Sequence, residues 1–140
     1  MGVFMDYKEL VKLSLEAKQK SYSPYSNFKV GAALLTKDFK VYMGANIENA
    51  AYTPTNCAER TAFFKAVFDG ARDFKAIAVC GSLKDEEGDY CYPCGVCRQV
   101  MIEFCDKEEF EIIVVKDAEN YKVYKLKELL PFGFSPLDLQ

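Results

Sequence analysis

Two short segments limit what this chain can become. One is Cys57-Ala58-Glu59-Arg60 and the other is Pro93-Cys94-Gly95-Val96-Cys97-Arg98-Gln99, and each opens a stretch with helical spacing. Cys94 and Cys97 stand three residues apart at a helix start, so they share a face. The exposed N–H groups and positive dipole end found there favour thiolate over thiol. By itself this pair reads as a redox pair, as half of a structural zinc site, or as part of a catalytic one. Cys57 adds a third sulfur at a second helix start. If the two helices begin side by side, three thiolates converge on one divalent metal and leave the fourth tetrahedral position to water, which is the catalytic pattern. Glu59, two residues beyond Cys57, would then face that water and carry protons to and from it.

The chain has no histidine. That removes Ser-His-Asp and Cys-His catalysis and every metal site built on imidazole. General acid and base work falls to Glu, Asp, Lys, Tyr or Cys, and a transition metal must be held by thiolate, with carboxylate the lesser choice. Three thiolates on a divalent ion carry a net charge of about −1, which needs an offset nearby. Arg60 and Arg98 each follow a ligand position. Arg60 is expected to hydrogen-bond the ligand thiolates, the plain alternative being an arginine solvated on its helix. The net charge of −3 and the lack of a Lys/Arg cluster argue against DNA, long RNA and anionic membranes as partners, and in favour of a small neutral ligand. No stretch approaches the roughly 20 apolar residues needed to span a bilayer, and Met1 to Tyr7 lacks a basic region followed by an apolar run. The expected compartment is therefore the reducing cytoplasm, where the six cysteines are metal ligands or core thiols rather than disulfides.

The 140 residues suit one domain, residues 1–140. Apolar residues at helical spacing mark Tyr7 to Lys20 as a helix, which Tyr22-Ser23-Pro24-Tyr25-Ser26-Asn27 ends. Phe28 to Thr36 and Val41 to Ile47 read as a hairpin joined by Lys37-Asp38-Phe39-Lys40, although the usual turn glycine is missing. A helix from Cys57 to Phe68 follows, with Thr55 or Asn56 as its cap and Asp69-Gly70 as its stop. Lys75 to Cys80 is a buried strand, Ser82 to Tyr92 a polar loop, and Cys94 to Phe104 a helix that begins at Pro93. Glu111 to Lys116 and Tyr121 to Lys125 are strands, followed by a short helix at Lys127 to Leu130. The order predicts an α/β fold with helices on the faces of one sheet, and parallel strands in its β-α-β-α-β middle.

The combined pattern C-x-E followed by P-C-x-x-C matches the signature of the zinc nucleobase deaminases, with cysteine in place of histidine. Beyond it, Ser23-Pro24-Tyr25-Ser26 with Phe28, Val30 to Leu34, Gly44 to Tyr52, Asn56 to Ala62, Pro93 to Gln99, and Leu129-Leu130-Pro131 with Phe134 and Pro136 resemble the small homotetrameric cytidine deaminases in order along nearly the whole chain. The resemblance implies a three-layer α-β-α sandwich with a central mixed five-stranded sheet. It also implies one zinc ion per subunit and hydrolysis of cytidine and deoxycytidine to uracil nucleosides and ammonia in pyrimidine salvage. It places Cys57, Cys94 and Cys97 on zinc and Glu59 as the catalytic proton carrier. It further places Phe28 on the pyrimidine ring, Asn46 and Glu48 on the ribose hydroxyls, and the Ala58 backbone on the base edge. Tyr52 and Phe134 match positions that reach a neighbouring subunit's site in a homotetramer, although as residues they could equally fill a core or an interface.

Two features depart from that pattern. Phe39 stands where the hairpin glycine is usual. Cys91 repeats the three-residue spacing ahead of Cys94 and Cys97 and reads as an idle loop thiol. The rival it leaves is a closed, non-enzymatic site of four sulfurs, Cys57, Cys91, Cys94 and Cys97. Cys80 and Cys105 read as core thiols.

Overall fold

The computed structural model describes residues 6–84 and 86–140. Most of the leader reading, on residues 1–5, and one position of the polar loop, 85, lie outside the described residues. The first helix, α1 (Tyr7–Lys18), opens with Asp6 as its cap, whose carboxylate accepts from the Lys8 N–H at 3.0 Å. It buries Leu10, Val11, Ser14 and Ala17, a stripe with the helical period. β1 (Phe28–Thr36) and β2 (Val41–Ala45) form the expected hairpin. Phe39 takes the place of the missing glycine by adopting its left-handed backbone, φ 67°. The Thr36 hydroxyl accepts from the Lys40 N–H at 2.9 Å and holds the turn closed.

The rest of the chain runs α2 (Ala58–Phe68), β3 (Phe74–Leu83), α3 (Gly95–Phe104), β4 (Glu111–Val115), β5 (Tyr121–Lys125) and α4 (Leu126–Leu129), ending in a 3-10 turn at Pro136–Leu139. The five strands lie in the order β2-β1-β3-β4-β5. β3 and β4 are parallel, while β1 pairs antiparallel with both β2 and β3. β2, β3 and β4 therefore run the same way, as the β-α-β-α-β pattern predicts, with β1 inserted between the first two. β5 returns antiparallel to β4, which makes the sheet mixed.

Alternation along the strands divides the apolar residues between two faces. Ala33, Leu35, Ala76, Ala78, Cys80, Ile113 and Val115 pack with Leu10 and Val11 of α1. Ala32, Leu34, Ile77, Val79, Ile112 and Val114 pack with Ala62, Phe63 and Ala66 of α2 and with Cys97, Met101 and Ile102 of α3. The outcome is three layers, with α1 alone on one side and the two cysteine-bearing helices together on the other. Gly44 sets how closely α2 approaches the sheet. A Cβ there would stand 2.4 Å from the Ala58 carbonyl oxygen and 2.6 Å from the Ala62 nitrogen, so only glycine admits the first turn of α2 at this distance.

Boundaries differ where caps and strand ends decide them. β3 continues through Ser82 and Leu83 because both still pair with β1. Neither Thr55 nor Asn56 caps α2: the cap positions of α2 and α3 are Cys57 and Cys94 themselves, neither making a side-chain cap bond. Pro93 consequently precedes the cap of α3 and is not its first residue.

Candidate active site

The two cysteine-capped helices begin side by side. The Cys57 and Cys94 sulfurs are 3.8 Å apart, those of Cys94 and Cys97 are 3.5 Å apart, and all three lie within 4.8 Å of one another. Sulfurs bound tetrahedrally to zinc at about 2.3 Å are separated by roughly 3.8 Å, so the three thiols are spaced as a zinc-ligand set. Because each of these cysteines sits on or just inside a helix start, its sulfur also meets the positive end of a helix dipole. Donation from the Cys97 thiol, with Arg60 adding to it, holds Cys57 down at about 5. The same bond to Cys57, together with burial, pushes Cys97 up.

Glu59 stands in the first turn of α2 and is 3 % exposed, although it is a carboxylate. Its carboxyl lies within electrostatic reach of Cys57 and Cys97. Burial pushes it up to about 7, and the Cys57 charge adds to the rise. A group that changes charge near neutrality can both take and give a proton. The Arg60 guanidinium donates to the Cys57 sulfur at 3.2 Å. Burial opposes its charge, and the facing Cys57 and Cys97 sulfurs more than restore it. Its Nε is buried without a partner among the described residues. Arg98 takes another path. It donates to the Pro93 carbonyl at 2.7 Å and the Leu129 carbonyl at 2.6 Å, tying the approach to α3 to the end of α4.

Cys91 stands outside the cluster. The sulfurs able to share one ion are those of Cys57, Cys94 and Cys97. The Cys91 thiol is instead pushed up to about 12 by burial, a value for an inert neutral thiol. The closed four-sulfur site is therefore not formed. The cysteines are all free, and Cys80 is a core thiol donating to the Ser14 carbonyl at 3.2 Å, while Cys105 packs against the α2/α3 side of the core.

A small knot of backbone pairing places the remaining residues beside Cys57. Ile47 and Asn56 exchange both N–H···O bonds at 2.9 Å, and Tyr22 donates to the Asn46 carbonyl at 3.0 Å while accepting from the Glu48 N–H at 2.8 Å. Asn46 and Glu48 thus lie one strand spacing from Asn56-Cys57. The Asn46 amide accepts from the Val30 N–H at 2.9 Å and the Ser21 hydroxyl, and donates to the Phe28 carbonyl at 2.8 Å. The Glu48 carboxylate accepts from the Tyr25 and Ser26 N–H groups at 3.0 and 3.1 Å and from the Ser26 hydroxyl. Although burial works against it, these donors hold it below the usual carboxylate range. Sequence reasoning did not single out Ser21 or Ser26, since nothing local to a serine signals a partner more than 20 positions away. Phe28 begins β1 with its ring over Gly81 of β3. Ala58 is the first residue of α2, where a backbone N–H has no intrahelical acceptor. Tyr52, at φ 64°, and Phe134 lie on the surface. The first is edge-on to Tyr25, and the second is held through its carbonyl by Gln99 of α3 at 2.8 Å.

A family model for the cytidine and deoxycytidylate deaminase zinc-binding region matches residues 5–112. The chain belongs to this deaminase family. A curated cytidine deaminase of Sporosarcina psychrophila is 49 % identical over 135 residues, covering 96 % of each chain. One from Halalkalibacterium halodurans is 46 % identical over 135 residues, covering 96 % of this chain and 98 % of its own. Among solved structures, cytidine deaminase from Burkholderia pseudomallei aligns with a TM-score of 0.84 at 46 % identity, over 93 % of this chain and all of that one. The Mycobacterium tuberculosis enzyme aligns at 0.77 and 32 % identity, over 94 % and 98 %. The α/β fold with its mixed five-stranded sheet is thus the deaminase fold. With a zinc-binding family region and three sulfurs at zinc spacing, the metal of this deaminase family member is zinc.

Proposed function

We propose that this chain hydrolyses the 4-amino group of free cytidine and deoxycytidine, giving uridine or deoxyuridine and ammonia. The observation that carries the proposal is a buried Glu59 carboxyl that feels Cys57 and Cys97, two members of a cluster of three sulfurs at two adjoining helix starts. Zinc held by Cys57, Cys94 and Cys97 supplies a Lewis acid that makes water a nucleophile at neutral pH.

The protein's own groups do the rest. Glu59 accepts a proton from the attacking water and passes it to N3 of the cytosine as the new C–O bond forms at C4. Glu59 then takes the remaining proton from the new C4 hydroxyl and gives it to the departing amine as the C4–N bond breaks and the C4 carbonyl forms, so one water is consumed and one ammonia released. Exclusion of water by burial is what lets a single carboxyl serve in both directions. Arg60 offsets the surplus charge of the thiolates. Phe28 offers an apolar face to the flat base, and the Ala58 backbone reads the base edge. Asn46, with an N–H to spare, and Glu48, with a lone pair left on Oε2, take the ribose hydroxyls. Tyr52 and Phe134, exposed on one chain, reach a neighbouring subunit's site in a homotetramer. The acidic net charge supports a free nucleoside over a nucleotide as substrate, and a nucleoside substrate suits a role in pyrimidine salvage in the cytoplasm.

The test is Glu59→Ala. Metal analysis should find zinc retained, and the absorbance assay with cytidine should show turnover lower by about 10²–10⁴-fold, the usual worth of a positioned acid or base. Parent-rate turnover would remove Glu59 from the chemistry. An ammonia-release assay over cytidine, CMP and blasticidin checks the substrate class, with cytidine expected to dominate.

A further inference from the structure

Gly81 lies where no turn or left-handed backbone calls for glycine. It is buried in β3 opposite Val30 of β1, on the face it shares with Ile77 and Val79. Glycine inside a strand is unfavourable unless another group needs the room, and here two groups take it. A Cβ at Gly81 would stand 2.9 Å from Cε1 and 3.2 Å from Cζ of the Phe28 ring, and 2.8 Å from the Cys91 sulfur. Phe28 pairs with Leu83, so it is the diagonal neighbour of Gly81, a separation that an aromatic side chain spans. Gly88 brings the loop in from the other side, since a Cβ there would fall 2.3 Å from the Gly81 carbonyl oxygen. A cavity of about 230 Å³ opens between Phe28, Gly81 and this loop, with Cys91 in its wall.

We propose that Gly81 and Cys91 are positioning residues for substrate binding: together they form the shelf that sets the depth of the Phe28 ring. The proposal rests on the reading of Phe28 as the face on which the base lies. Phe28 is anchored at its backbone by Asn46, but its ring angle depends on what lies beneath it. The space left by the absent Gly81 side chain is shared between the ring edge and the Cys91 sulfur, so a change in either moves the ring. This gives Cys91 a purpose that metal binding does not.

The experiment is a kinetic series on the zinc-loaded enzyme with cytidine. Gly81→Ala crowds the shelf from the strand and Cys91→Leu crowds it from the loop. Each should raise KM about fivefold while kcat and zinc content stay within about twofold, the pattern of binding weakened equally in the ground and transition states. In the double variant Gly81→Ala with Cys91→Ala, the ring can move into the room the sulfur leaves, and KM should return most of the way to the parent value. Phe28→Ala separates the two layers of the argument. If it leaves KM unchanged, the base does not lie on Phe28 and the parent reading fails. If it raises KM but both crowding variants keep the parent KM, the shelf is overturned. An equal loss in the single and double variants, or a fall in kcat at constant KM, also overturns it. Should Gly81→Ala fail to fold, Cys91→Leu decides alone.

Discussion

The N-terminus of α1 and those of α2 and α3 are built on opposite plans. Asp6 closes α1 with its own carboxylate, a local bond two residues long. α2 and α3 begin at Cys57 and Cys94, which cap neither helix and instead turn their sulfurs toward each other. The two faces of the sheet follow the same division. The α1 side is apolar packing closed around Ser14, whose hydroxyl is satisfied within its own helix by the Val11 carbonyl at 2.7 Å. The α2/α3 side buries a carboxylate and leaves a guanidinium nitrogen unpartnered among the described residues. A helix end sealed by its neighbours contributes stability; one left open keeps its dipole and its free N–H groups for something else.

The comparison breaks first at the ligands. Cys94→Ala should abolish zinc retention by metal analysis and cytidine turnover with it, whereas Cys91→Ala should keep its zinc. Zinc loss from the Cys91 variant would mean that the open corner is closed by a fourth sulfur after all. Gly44→Ala comes next. Its methyl group forces back the first turn of α2, so we expect about 1–3 kcal/mol of lost stability in denaturant melts, with weaker zinc retention because Cys57 moves with that turn. Arg60→Gln should follow, with zinc lost more readily to a chelator and turnover reduced by about 10-fold or more, in the range of outer-shell partners of a metal site. Unchanged activity and retention would return Arg60 to an ordinary helix arginine. The smallest effect belongs to the other plan. Asp6→Ala should cost about 1 kcal/mol, seen as a lower Tm, and leave zinc content and KM untouched.

Much of this contrast is legible before any coordinates. β1 and β5 keep the bounds read from the sequence, because strand length and the flanking turn residues are local properties of those stretches. The helix caps were less legible. Thr55 and Asn56 have cap chemistry, but Thr55 spends its hydroxyl on the Asn49 N–H and the Asn56 amide donates to the Thr61 hydroxyl, so the chain enters α2 one residue later. Arg98 shows the same limit. Its position beside Cys97 suggested the metal, but helical rotation turns it toward Pro93 and Leu129. Gly81 was silent because the reason for a glycine there is a ring arriving from another strand.

Residue types and short spacings were settled by the sequence alone: no imidazole, two thiols one helical turn apart, a third two residues from a glutamate, and short strands able to form one sheet. These follow from chemistry that acts within a few bonds or one turn. That the Cys57 sulfur meets Cys94 across 37 residues, that Glu59 is dry, and that Arg60 faces sulfur while Arg98 does not, were decided only by the tertiary structure. The physical reason is that β1 is inserted between β2 and β3, and packing α2 and α3 on one face of that sheet sets the two helix starts against each other. Strand register and close helix approach fix those distances, and neither is a property of any short segment.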